Sequence, residues 1–129
     1  MATSHSPSCT ATVTAPNSSL PTSLCVQLFP DRIFISITQL GKIGTLLTGT
    51  YTENPHADTK YYDTTILLGR RDDPLLNIYT RQLIEKCAGV DPVKARPVLL
   101  AISLHKDGRD TGTFQFLLNE VLQMFTNLL

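Results

Sequence analysis

A chain of 129 residues, 42% of them hydrophobic, is long enough to close one hydrophobic core and too short to need a second. Lysine plus arginine number 11, as do aspartate plus glutamate, and the resulting zero net charge offers no global field to a nucleic acid or an anionic membrane. The three cysteines, Cys9, Cys25 and Cys87, are odd in number and far apart, which fits neither a disulfide framework nor a Cys-x-x-Cys metal knuckle. A reducing compartment, cytoplasm or nucleus, is the expectation. No apolar run approaches the roughly 20 residues that cross a bilayer.

Residues 1–20 are rich in Ser, Thr, Pro and Ala and carry no Lys, Arg, Asp or Glu. That composition predicts a disordered tail, and it lacks the basic start and apolar segment of a secretory signal. The folded domain is therefore expected over 21–129. Within it Leu24, Val26 and Leu28 alternate with polar neighbours, Pro30-Asp31 turns the chain, and Ile33, Ile35 and Ile37 alternate with Phe34, Ser36 and Thr38, which predicts a hairpin. Ile43 to Tyr51 reads as a third strand and Tyr61 to Leu68 as a fourth. The nine residues TENPHADTK between them, Thr52 to Lys60, are polar, broken by Pro55, and expected to form a loop.

The period then changes. Asp73 can cap a helix that starts at Pro74, carries Leu75, Leu76, Tyr79, Leu83 and Cys87 at helical spacing, and stops at Gly89. RPVLLAISL, Arg96 to Leu104, is apolar enough for an inner strand, and Gly112 to Leu128 forms a second helix with a stripe from Phe114 through Leu117, Leu118, Val121, Leu122 and Phe125 to Leu128. The order ββββαβα predicts an α+β domain: a mostly antiparallel sheet of five to six strands with two helices packed on one face.

TQLGKIGTL, Thr38 to Leu46, contains a Gly-x-x-Gly that could clamp a nucleic-acid backbone. A KH-type clamp needs helices on both sides, whereas strands flank this one, so the glycines are expected to supply positive φ in a turn with Lys42 in solvent. Other chemistry is equally sparse. His56 with Asp58 and His105 with Asp107 read as solvated pairs in loops, each without a third ligand in view, and Cys87 reads as a core thiol. No Walker loop and no Gly-x-Gly-x-x-Gly is present. The expectation is a protein without catalytic residues, metal or cofactor.

What remains is a surface. If Leu24, Ile33, Ile35, Ile37, Ile66, Leu68, Val98, Leu100 and Ile102 face the helices, alternation puts Phe34, Ser36, Thr38, Thr65, Leu67, Leu99, Ala101 and Ser103 on the opposite face. That set is too apolar for an ordinary solvated face and too polar for a second helix layer, and it suits a sheet-to-sheet protein interface.

Taken in order, TQLGKIGTLL, TTILLGRRDDPLLNIYTRQLIE and RPVLLAISL resemble the third-member family of eukaryotic proteasome assembly chaperones over roughly Val26 to Leu104 and part of the last helix. The Ser/Thr-rich extension before Leu20 and the Arg70-Arg71 insertion depart from that pattern. The resemblance implies a non-enzymatic chaperone that pairs sheet to sheet with a related chaperone or with itself. Such a pair guides alpha-type subunits into the ring of the 20S core and leaves before maturation. If flat faces join the pair, loops must meet the client, which nominates Glu53, His56, Asp58 and Lys60 together with Arg70 and Arg71. The alternative is a small trafficking adaptor of longin or roadblock type, which would also dimerise through its sheet.

Overall fold

The computed structural model describes residues 7–16, 18–54, 56–57, 59–92 and 96–129. Its elements are β1 (Ser8–Thr14), β2 (Pro21–Phe29), β3 (Arg32–Thr38), β4 (Thr45–Asn54), β5 (Thr59–Leu68), α1 (Pro74–Val90), β6 (Val98–Ser103) and α2 (Thr111–Leu128). The strands form one sheet in the order β1-β2-β3-β6-β4-β5. Four of the five pairings are antiparallel, and β3 with β6 is parallel, so the sheet is mixed. The α+β class and the mostly antiparallel arrangement follow the sequence expectation; the parallel pair arises because α1 returns the chain to the end of the sheet where β3 began.

The helices share one face. Alternating residues Leu24, Val26 and Leu28 of β2, Ile33, Ile35 and Ile37 of β3, and Val98, Leu100 and Ile102 of β6 are buried with Leu76, Tyr79, Leu83, Ile84 and Cys87 of α1 and Leu117, Leu118, Val121 and Phe125 of α2. Helix α1 covers β4, β5 and β6, α2 covers β1 and β2, and the helices touch each other. Gly49, midway along β4, sets the first of these contacts: a Cβ there would lie 2.9 Å from Thr80 Cγ2, so only the bare main chain lets α1 settle this close.

Three differences from the sequence reading have physical causes. Residues 8–14, expected within a disordered tail, form β1, because Cys9, Ala11 and Val13 all point to one side and pack against the core while β2 supplies the main-chain partners. The nine-residue loop shrinks to a short connection, since Thr52, Glu53 and Asn54 extend β4 and Thr59 and Lys60 extend β5. This extension is held by the Tyr51–Tyr62 ring pair at 5.3 Å and by Arg81 lying 5.9 Å from the Tyr62 ring centre. Leu68, expected toward the helices, is 66% exposed. The register slips at Leu46/Leu47, so Leu46 faces Leu68 while Leu47 faces Ile66, and the extra residue turns Leu68 outward with Leu67.

Asp73 occupies the N-cap position of α1 but makes no side-chain cap. Its carboxylate is taken instead by Arg109, whose Nη1 and Nη2 reach it at 2.9 and 2.5 Å. At the other end, α1 runs one residue beyond Gly89, to Val90, and the Asp91 amide closes it on the Cys87 carbonyl at 2.8 Å. The Asp91 side chain accepts from Arg96 Nε at 2.8 Å and Nη2 at 2.5 Å, while Arg96 Nη1 donates to the Phe29 carbonyl at 3.1 Å. One guanidinium thus joins the end of α1, the entry to β6 and the β2–β3 turn. Helix α2 is capped by Asp110, which accepts from the Thr113 amide and hydroxyl at 3.0 and 2.7 Å; those bonds hold its carboxyl below the usual aspartate range.

Tyr79 packs edge-on against Phe114 with ring centres 4.5 Å apart, yet its hydroxyl is buried with no hydrogen-bond partner among the described residues. Burial pushes that phenol well above its ordinary pKa, with the Asp110 carboxylate adding to the shift. Because an orphaned buried hydroxyl costs on the order of 1–3 kcal/mol, Tyr79→Phe should keep the ring contact and raise stability by about 1 kcal/mol. A lower urea midpoint for the variant would contradict this.

Candidate functional site

Among the described residues, no helix or strand covers the face away from α1 and α2. Register places its residues in rows across the sheet: Gln27, Phe34, Leu99, Thr48 and Thr65 in one, and Cys25, Ser36, Ala101, Leu46 and Leu68 in the next. Phe34 and Leu99 adjoin a hollow of about 490 Å³ that also touches Phe29 and Arg32. Leu99 continues into a second hollow, of about 300 Å³, walled by Leu67, Thr48 and Pro97. Phe29 is therefore a second aromatic on this face, signalled in the sequence by its alternation with Leu28. Leu46 and Leu68 join it through the bulge, which no local pattern shows.

Of the residues assigned to this face, Phe34, Ser36, Thr65, Leu67 and Leu99 lie on its partly or fully exposed surface, and Ala101 is closed off by its neighbours at 3% exposure. Thr38 and Ser103 do something else. Their hydroxyls are 2.6 Å apart and Ser103 Oγ donates to the Lys42 carbonyl at 2.8 Å. With its single proton committed there, Ser103 accepts from Thr38, and Thr38 Oγ1 in turn accepts from the Leu40 and Lys42 amides at 3.3 and 3.2 Å. Gln39 completes the fastening: its Oε1 accepts from the His105 amide at 2.9 Å and its amide group reaches Thr22 Oγ1 at 3.3 Å. TQLGKIG is thus a turn tied to the ends of β2 and β6.

Gly41 and Gly44 both have positive φ, +70° and +69°. They are unequal. A Cβ on Gly41 meets nothing within 4 Å, whereas one on Gly44 falls 2.5 Å from the Ile102 carbonyl oxygen and 2.7 Å from Ser103 Cβ. Gly41→Ala should cost only the left-handed backbone term of about 1–2 kcal/mol, and Gly44→Ala distinctly more, because strain and clash add. Equal urea midpoints for the two variants would refute the difference.

The turn borders a cleft of about 400 Å³ at the end of the sheet. Leu40, Leu76, Ile102 and Leu104 supply its apolar lining, and Lys42, Arg70 and Arg109 its cations. Arg70 holds Asp72 through Nε and Nη2 at 3.2 and 3.4 Å in an exposed pair, which lowers the Asp72 carboxyl below its usual range.

The loop residues nominated for client contact do not form one patch. Glu53 stands directly across from Lys60 near the tip of the β4–β5 hairpin, His56 is exposed beyond them, and Asp58 lies outside the described residues. Arg70 and Arg71 are at the other end of β5, roughly 30 Å away at ~3.4 Å per residue. His105 accepts the Asp107 amide at its Nδ1, 3.1 Å away, and among the described residues no three His, Cys, Asp or Glu side chains converge as metal ligands. The cysteines are free thiols. Burial, then the Asp91 charge, pushes the Cys87 thiol up to about 12.

A family model described as proteasome assembly chaperone 3 matches residues 35–122. A structural relative is one chain of the "Crystal Structure of a Novel Chaperone Complex for Yeast 20S Proteasome Assembly", with a TM-score of 0.74, 16% sequence identity, and coverage of 92% of this chain and 98% of that one. At that identity the likeness is one of fold. A search of curated protein sequences returns no match. The family match spans more than half of the chain, and the chain belongs to the proteasome assembly chaperone 3 family.

Proposed function

We propose that this member of the family promotes assembly of the 20S proteasome by binding alone, pairing through its open sheet face and presenting alpha-type subunits to the forming ring. The partner is a related assembly chaperone or a second copy of the chain, and the pair departs before the particle matures. The cytoplasm and nucleus, where proteasome subunits assemble in a reducing medium, are the proposed sites of action.

The observation that carries this reading is the sheet face itself. Two helices cover one side of six strands, and the other side keeps Phe29, Phe34, Leu67, Leu68 and Leu99 at least partly exposed among small polar residues. Such a face is costly to leave in water and too polar to belong inside one chain. A second sheet laid across it at the usual spacing of about 10 Å would bury the apolar members and leave the threonines and serines at the rim.

The test is reconstitution. The purified chain, alone and with a related assembly chaperone, is sedimented to read pairing, then mixed with individually expressed alpha-type subunits and with an unrelated protein of similar charge. The reading expects a dimer that retains at least one alpha-type subunit and ignores the control. A monomer that binds no alpha-type subunit in either setting overturns it.

A further inference from the structure

The cleft at the end of the sheet is built from parts far apart in sequence. Leu40, Lys42 and Gly44 come from the β3–β4 turn, Gly69 and Arg70 from the β5–α1 connection, Ile102 and Leu104 from the end of β6, and Arg109 from the turn before α2. Gly44 and Gly69 are exposed and give only main chain to its wall, and a Cβ on either would run into Ile102 and Ser103 or into Thr45. Its described lining residues include no aromatic ring on which a nucleotide base could stack. The apolar members are aliphatic, which a bare phosphate would not use. A volume of about 400 Å³ falls within the usual size of ligand sites.

The charges are unbalanced toward positive. Asp73, 8% exposed at its side chain, is committed to Arg109 by two hydrogen bonds, and Arg70 stands close enough to oppose the charge of Arg109. The Lys42 ammonium has no carboxylate partner among the described residues. Asp72 holds Arg70 only through an exposed pair, 70% and 76% accessible, and exposed pairs of this kind exchange readily for another carboxylate.

The geometry points to a binding site for an extended peptide segment that carries an aliphatic side chain beside one or two carboxylates. The aliphatic group enters between Leu40, Leu76 and Leu104, the carboxylates reach Lys42 and Arg70, and the peptide main chain runs along the glycine wall. This deepens the client-binding half of the function proposed above and rests on it for the origin of the segment, an alpha-type subunit. It also explains why Arg70 lies so far from Glu53 and Lys60: the two ends of β5 serve different contacts.

The experiment uses the intact chain and a random peptide library displayed on phage, with no proteasome subunit, so its failure leaves chaperone pairing and subunit capture to their own tests. Selected peptides are expected to be enriched in Asp or Glu next to Leu, Ile or Val, and to perturb the amides of Lys42, Gly44 and Arg70 in a nitrogen-15 correlation spectrum. The double variant Lys42→Glu/Arg70→Glu changes only exposed side chains, and should keep the spectrum of a folded protein while losing affinity by about tenfold or more, as expected for two charge-assisted contacts. Affinity should also fall between low salt and roughly 0.5 M salt. Leu40→Asp should weaken the same peptides without unfolding the chain. Selection of peptides without acidic residues, no selection at all, perturbation confined to other surfaces, equal affinity for the charge-reversed variant, or displacement of the peptide by millimolar inorganic phosphate would each overturn the assignment.

Discussion

Arg96→Ala is expected to destabilise the domain by about 3–5 kcal/mol, the usual consequence of removing one member of a buried ion pair. The Arg96 side chain is 10% exposed and that of Asp91 2%, so Asp91 would lose its two guanidinium contacts where water hardly reaches to replace them. The loss extends past the pair, because the same guanidinium holds the Phe29 carbonyl and with it the β2–β3 turn. Domains of this size have total stabilities of about 5–15 kcal/mol, which leaves the variant marginal. Urea denaturation reads the effect as a lower midpoint at unchanged slope. The double variant Asp91→Leu/Arg96→Met, which removes both members of the pair and fills the space, should be more stable than the single variant, since it buries no carboxylate deprived of its guanidinium, while the bond to the Phe29 carbonyl stays lost. A single variant within about 1 kcal/mol of the parent would show that the pair contributes no more than a surface bridge.

That ion pair marks where sequence reading stops. Leu24 to Thr38, the α1 stripe through Tyr79 and Leu83, and the apolar run of β6 were legible because each is fixed by a period visible within ten or so residues. The same periodicity separated Phe34 and Leu99 from the core and exposed the open face. Strand β1 escaped because Ser, Thr and Pro in residues 1–20 read as a solvated tail. The alternation of Cys9, Ala11 and Val13 is present there, but what orders it is the edge of β2, which lies elsewhere in the chain. Leu68 was placed on the wrong face because one inserted residue reverses parity, and a bulge has no signature in so short a run. Arg109 holding Asp73, Arg96 holding Asp91 and Ser103 fastening the Lys42 turn are tertiary choices among many available partners. The cleft consequently had no outline in the sequence: GKIG and LLGRRDDP each showed a turn, and only the sheet brings those turns together.

Phe34→Asp is expected to weaken dimerisation through the open face by about 2 kcal/mol or more, roughly a thirtyfold rise in the dissociation constant. Phe34 sits in the interior of the sheet, between Gln27 on β2 and Leu99 on β6, so a partner laid across this face would enclose it on all sides. Aromatic side chains in such central, water-excluded positions contribute most of the affinity of an interface, and an aspartate there would carry its charge out of water beneath the partner sheet. The fold should tolerate the change, because the Phe34 side chain points away from the helices while Ile33 and Ile35, its buried neighbours, are untouched. Leu99→Asp should act in the same direction. His56→Ala, at the hairpin tip, should leave pairing unaltered. Sedimentation velocity over a concentration series, with circular dichroism to verify folding, supplies the measurement. A folded Phe34→Asp protein that dimerises as tightly as the parent would place the pairing surface elsewhere, with the uncharged outer edge of β1, Ser8–Thr14, the next surface to examine.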